Sequence, residues 1–170
     1  MWQYTGAERP PFADAPGPGQ ESVWDYPRPP ALVACSRDVQ VSADGEMLAH
    51  SSRCWRLLET ASPPTYYLPP GDVNMALLVA VAGSSFCEWK GSASYWGLLS
   101  RPGDDAVAWS YPDPGERFAE LRGAVAFYPG RVECTVDGER VRPQPGYFYG
   151  GWITDDLVGP WKGEPGTGHW

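Results

Sequence analysis

Short stretches in which apolar and polar residues alternate, each ended by turn formers after a few positions, fill the middle of this chain. A strand turns successive side chains to opposite faces, so the alternation predicts strands at 32–35, 39–42, 46–51 and 55–60. Asp44-Gly45 marks a tight hairpin between the second and third, because its backbone needs positive φ. A meander is the simplest path through all four. A short strand at 66–68 follows Pro63-Pro64, and Asp72 then reads as the cap of a helix over 73–81, with Gly83 as its stop.

The aromatic run from Phe86 to Trp96 supplies further strands, and a strand over 105–111 places Val107, Trp109 and Tyr111 on one face. A helical turn at 116–121 precedes strands at 124–128 and 132–136, and Asp137-Gly138 is a second hairpin signal. The middle of the chain is therefore mainly β, with short antiparallel strands and one or two short helices. The ends differ. Pro16-Gly17-Pro18-Gly19 and Tyr26-Pro27-Arg28-Pro29-Pro30 disfavour helix and most sheet positions, so residues 1–20 read as an extended arm. Trp2, Tyr4, Phe12, Trp24 and Tyr26 carry too much apolar surface for a freely solvated tail, which predicts docking on the domain or on a partner. Residues 21–148 form a single domain, and the Gly/Pro/Trp-rich extension 149–170 packs on it.

Charge narrows the function. With 170 residues and a net charge of −8 the chain can bury one core but lacks the clustered positive charge that phosphate backbones need, so no nucleic-acid partner is expected. No apolar stretch approaches the roughly 20 residues that span a bilayer, and the proline-rich start does not resemble a signal peptide. A soluble, cytoplasmic protein without a membrane partner follows. Cys35, Cys54, Cys87 and Cys134 show no close paired spacing and read as reduced, mostly buried thiols. Only His50 and His169 are available for a metal site or a catalytic triad, and neither a phosphate-binding P-loop nor a Gly-x-Gly-x-x-Gly turn is present. No metal and no cofactor is expected.

What remains is carboxylates, aromatic rings and a rare cation. Only Lys90 and Lys162 are lysines. Lys90 lies inside Phe86-Cys87-Glu88-Trp89-Lys90-Gly91, with Tyr95-Trp96 and Trp109-Ser110-Tyr111 close behind. A desolvated lysine has a lowered pKa and can act as base or nucleophile, or it can clamp an anion. On an unbroken strand, however, Glu88, Lys90 and Ser92 share one face and Cys87, Trp89 and Tyr95 the other, so Lys90 can equally pair with Glu88. A bend at Gly91 decides whether Lys90 and Tyr95 meet. Glu59, ending a strand beside Trp55 and Leu57, needs a cation such as Arg53 or another arginine, or else serves catalysis. Trp-Lys-Gly occurs at 89–91 and again at 161–163, but the flanks differ and the repetition reads as coincidence.

Several segments together carry a resemblance: Glu21-Ser22-Val23-Trp24-Asp25-Tyr26-Pro27-Arg28-Pro29-Pro30, Leu58-Glu59-Thr60, Tyr66-Tyr67-Leu68-Pro69, Lys90-Gly91-Ser92-Ala93-Ser94-Tyr95-Trp96, Ala108-Trp109-Ser110-Tyr111-Pro112 and Val125-Ala126-Phe127-Tyr128. In order and spacing, over about residues 21 to 135, they are similar to the domain-of-unknown-function 427 family. The closing Tyr149-Gly150-Gly151-Trp152-Ile153-Thr154 and Val158-Gly159-Pro160-Trp161-Lys162-Gly163 resemble the C-terminal extension of many bacterial members. The resemblance implies a β-tent or open-barrel arrangement of two antiparallel sheets, related in shape to the ligand-binding domain of cereblon, where aromatic residues cage a small cyclic imide. Paired cysteines that hold zinc in relatives of that fold are missing, so a zinc-free domain is expected.

The leading expectation is a small-molecule pocket built from Lys90, Tyr95, Trp96, Trp109 and Tyr111, with Glu59, Tyr67, Trp24 and Tyr26 on its rim. Its ligand is planar or cyclic, with an anionic or carbonyl group at Lys90. Lys90 and Glu59 are the only catalytic candidates. A nucleotidyltransferase-like or other group-transfer enzyme, a label the family has carried, is the first alternative. A protein–protein interaction module working through the aromatic arms is the second, and a homodimer is compatible with either.

Overall fold

Turn formers cut the chain into many short strands, and the computed structural model describes them across residues 1–170. In chain order they begin with β1 (Glu21–Ser22), β2 (Ala31–Cys35), β3 (Val39–Ala43), β4 (Glu46–Ser51), β5 (Cys54–Leu58) and β6 (Thr65–Tyr67). The long hairpin β7 (Leu78–Cys87) and β8 (Gly91–Leu98) follows, then β9 (Ala108–Ser110), β10 (Val125–Phe127), β11 (Glu133–Val136) and β12 (Glu139–Arg140). Three small strands complete the set: β13 (Arg142–Pro143), β14 (Trp152–Ile153) and β15 (Leu157–Val158). All helical elements are short 3-10 turns.

Two antiparallel layers result. The first joins β2-β5-β6 to β10-β9-β8-β7 through reciprocal 2.8 Å bonds between Leu68 and Val125. The second is the four-stranded sheet β12-β11-β3-β4. They do not close into a barrel. β13 pairs with β14, and β1 pairs in parallel with β15.

Alternation along the first layer gives it two dissimilar faces. Tyr66, Leu68, Leu98, Ala108, Val125 and Phe127 turn inward and meet Val39, Val41 and Leu48 of the second layer in the main core. Trp152 also enters this core, fully buried, stacking on Tyr66 at 4.8 Å and donating its indole N–H to the Phe127 carbonyl at 3.0 Å. Leu57, Tyr67, Ala93, Trp109 and Ala126 turn to the opposite face and form a second cluster with Tyr111, Phe118 and Leu121. A third cluster gathers Val23, Trp24, Tyr26 and Leu157, with Tyr4, Trp161 and Trp170 against them. The amino-terminal arm is thereby packed on its own chain. Tyr4, Phe12, Trp24 and Trp170 lie ring against ring at 5.1–6.2 Å.

The two hairpin signals hold, with φ of 52° and 80° at Asp44 and Gly45 and of 49° and 82° at Asp137 and Gly138. The meander does not. β2 pairs with β5, while β3 and β4 cross to the other layer, where β3 also pairs with β11. That partner is distant in sequence, so local alternation carries no trace of it. The helix expected over 73–81 is also absent: 3-10 turns at Pro70–Asp72 and Met75–Leu77 lead into β7. β-branched Val79 and Val81 favour a strand, and the ladder with β8 outweighs the helix tendency of Ala and Leu. Asp72 caps nothing; its carboxylate accepts from Ser51 Oγ at 2.7 Å and Arg53 Nε at 2.9 Å. Val107 departs from the predicted common face and joins the main core, because the backbone leaves strict alternation just before β9.

All four cysteines are free thiols. Cys35 and Cys54 face each other across β2 and β5, and burial pushes the Cys54 thiol up to about 12. No helix is long and apolar enough to cross a membrane.

Candidate functional site

The outer face of the first layer does not fill itself. A cavity of about 490 Å³ remains between the segment Leu57–Tyr67, the tip of the β7–β8 hairpin, Trp109 and Tyr111, and the loop from Gln144 to Gly150. Its mouth carries Phe86 and Phe148, which are 77% and 70% exposed.

The hairpin tip is what brings Lys90 in. β7 ends at Cys87, Glu88 to Lys90 form the turn, and Gly91, paired with Cys87, takes φ 89°, a conformation costly for any residue with a Cβ. Lys90 thus sits in a turn and escapes the strand alternation that would have set it opposite Tyr95. Both line the cavity. Lys90 is only 9% exposed, with its ammonium 5.4 Å from the Tyr111 ring centroid. It makes no ion pair with Glu88, and its Nζ has no hydrogen-bond partner within the protein.

Lys162 enters from the far end of the chain. It is 7% exposed, and its Nζ donates to the Trp170 main-chain oxygen at 3.1 Å while lying over the Trp2 ring at 4.8 Å. Burial, reinforced by the Arg28 charge and opposed by Glu59, holds its amine below the usual lysine value. Gln144 sets its position, donating to the Lys162 carbonyl at 2.6 Å and accepting from Gly151 N at 3.1 Å. Gly163 follows with φ 137°, where an added Cβ would overlap the Pro145 carbonyl.

Rings form the walls. Trp109 donates its indole N–H to the Tyr67 hydroxyl at 3.3 Å and lies 4.6 Å from the Tyr128 ring. Gly150 lets it do so, since a Cβ there would collide with the indole. Burial raises the Tyr67 and Tyr111 phenols well above their ordinary range, with Lys90 partly opposing the shift at Tyr111, and pushes Tyr128 up to about 12. The Ser85 and Tyr95 hydroxyls bond each other at 2.6 Å. Glu59 is held at 3.5 Å by Arg28, whose guanidinium also bonds the carbonyls of Tyr4 and Thr60. Arg53, the other partner considered for it, is engaged by Asp72.

Lys90, Tyr95, Trp109, Tyr111, Glu59 and Tyr67 therefore meet at one void. Trp96, Trp24 and Tyr26 do not. Trp96 follows Tyr95 on a strand and so faces the other way, packing on the main core and donating to Ser110 Oγ at 3.0 Å. Trp24 is fully buried among the arm rings with its N–H on the Pro160 carbonyl, and Tyr26 bonds Glu21 and Arg56. Sequence reasoning missed Lys162, Gln144, Tyr128 and Phe148. For Lys162 a signal existed: the rarity that singled out Lys90 applied equally to it, and both stand in Trp-Lys-Gly.

No group of three or more His, Cys, Asp or Glu side chains is placed to share a metal ion. The arrangement is a mainly β domain with an aromatic, lysine-bearing cavity on one layer. The chain belongs to the family described as Domain of unknown function (DUF427), whose model matches residues 31–138. No curated protein matches the chain. The family match covers Glu59, Tyr67, Lys90, Tyr95, Trp109 and Tyr111, while Gln144, Phe148 and Lys162 lie beyond it.

Proposed function

We propose that the protein binds a small planar molecule in this cavity, with an anionic group of the ligand against Lys90 and its flat body between the rings of Trp109, Tyr111 and Tyr128. One observation carries the reading: a lysine more than nine-tenths buried, without a carboxylate or hydrogen-bond acceptor, beside an open volume of about 490 Å³. Lys90 lines the cavity and its Nζ has no acceptor within the protein, so its three N–H donors are left for an external anionic group to take up. The volume falls in the range of small-molecule sites, and ring walls with a few convergent polar groups are their usual construction.

Calorimetric titration with benzoate tests it. Benzoate binds the unaltered protein, and Lys90→Met abolishes that binding while thermal stability stays nearly level, because the Lys90 ammonium makes no ion pair or hydrogen bond within the protein. Equal benzoate affinity in Lys90→Met would take Lys90 out of the site.

A further inference from the structure

We infer that the ligand is a planar dianion that bridges the chain's two lysines, one anionic group against Lys90 and the other against Lys162. This rests on the binding reading above and specifies its ligand class.

The charge distribution carries the inference. The protein is acidic, at a net −8, yet both of its lysines line the same void. They reach it from different walls, Lys90 from the β7–β8 turn and Lys162 from the loop that follows β15. A lysine ammonium has three N–H donors. Lys90 uses none within the protein and Lys162 one, on the Trp170 main-chain oxygen. Glu59 and Glu88 line the void too, but neither makes an ion pair with a lysine. Around Lys162 stand Arg28 and Glu59, and Glu59 is already taken up by Arg28 at 3.5 Å, so two cations face one carboxylate. Around Lys90 the nearest carboxylate in sequence, Glu88, is exposed and makes no ion pair. Each ammonium has free N–H donors for one anionic group, and a monoanion engages only one of them. Between them lie ring faces, which favour a flat and rigid spacer.

The recurrence of Trp-Lys-Gly takes on a physical meaning here. The flanks differ, but Gly91 and Gly163 both adopt positive φ, 89° and 137°. Gly91 closes the hairpin turn directly after Lys90, and Gly163 lets the Pro145 carbonyl approach directly after Lys162.

The test compares two diacids of different length, terephthalate and 2,6-naphthalenedicarboxylate, with their monoacids, benzoate and 2-naphthoate, by calorimetry at physiological ionic strength. At least one diacid should bind roughly tenfold tighter than its monoacid, about the worth of one added charge-assisted hydrogen bond. Lys162→Met should erase that advantage, so that each diacid binds no tighter than its own monoacid in the same variant. Lys162→Gln, which keeps a donor for the Trp170 main-chain oxygen, does the same should the Met variant fold poorly. If the monoacids bind through Lys90 and neither diacid gains, the two-ended ligand is wrong and the binding reading stands. If neither monoacids nor diacids bind, both are overturned.

Discussion

Trp24 and Trp109 are both nearly inaccessible, and each touches several other rings, yet their surroundings behave oppositely. Around Trp24, the rings of Tyr4, Phe12 and Trp170 close on one another edge to face or stacked and leave no room. Around Trp109, Tyr67 and Tyr128 lie at similar spacing, but one side stays open to the cavity. Aromatic content therefore does not distinguish a filled cluster from a pocket. The difference lies in what holds the rings. Those at Trp109 are fixed by a rigid sheet face, by an indole–phenol hydrogen bond and by Gly150 behind the indole, so they cannot collapse inward. Those at Trp24 come from two proline- and glycine-rich arms that were free to close.

The largest expected effect separates the two regions by stability. Trp24→Ala should cost about 3–5 kcal/mol in guanidinium unfolding, as buried tryptophans do, and should leave benzoate affinity unchanged. Trp109→Ala should cost visibly less and remove benzoate binding. Equal stability losses in the two variants would show that the void at Trp109 is closed in solution.

Gly150→Ala sharpens the same contrast from inside. Its Cβ meets the indole, so Trp109 must move into the cavity, at a cost of about 1–3 kcal/mol typical of overpacking. Benzoate affinity should fall, and a Trp109→Phe change made together with it should restore part of the binding.

Alkaline pH gives the smallest effect. Burial raises the phenols of Tyr67, Tyr111 and Tyr128 on the cavity side and of Tyr26 on the arm side. A raised folded-state pKa means the stabilisation is complete below the unfolded value near 10 and is lost as pH rises through the folded values. The melting temperature should hold up to about pH 10 and then decline, with part of the phenolate absorbance appearing only on unfolding. Phenolate signal from these residues at pH 10 without unfolding would contradict their burial.

Much of the cavity face was legible because it obeys a local rule. Tyr67 and Trp109 fall on the outer face by strand alternation alone, and the Asp-Gly turns follow from backbone sterics. Trp96 was misplaced by ignoring that rule, since neighbours on a strand cannot share a wall. Lys90 shows its limit: the turn from Glu88 to Lys90, closed at Gly91, interrupts the strand and resets the phase. Lys162 and the crossing of β3 and β4 depend on contacts between distant segments, Gln144 with Lys162 and β3 with β11, which no window of alternation contains.

The parallel pairing of β1 with β15 has a mechanical consequence. A pull applied to the two flanking segments drives these strands in opposite directions along their common axis, so their few bonds, among them Glu21 N to the Asp156 carbonyl at 2.7 Å, are loaded together in shear. With only two residues on each side, this clasp yields before the long β7–β8 ladder. Tension would then draw away the segment bearing Lys162 while Lys90 stays seated, making one half of the cavity sensitive to force and the other indifferent to it.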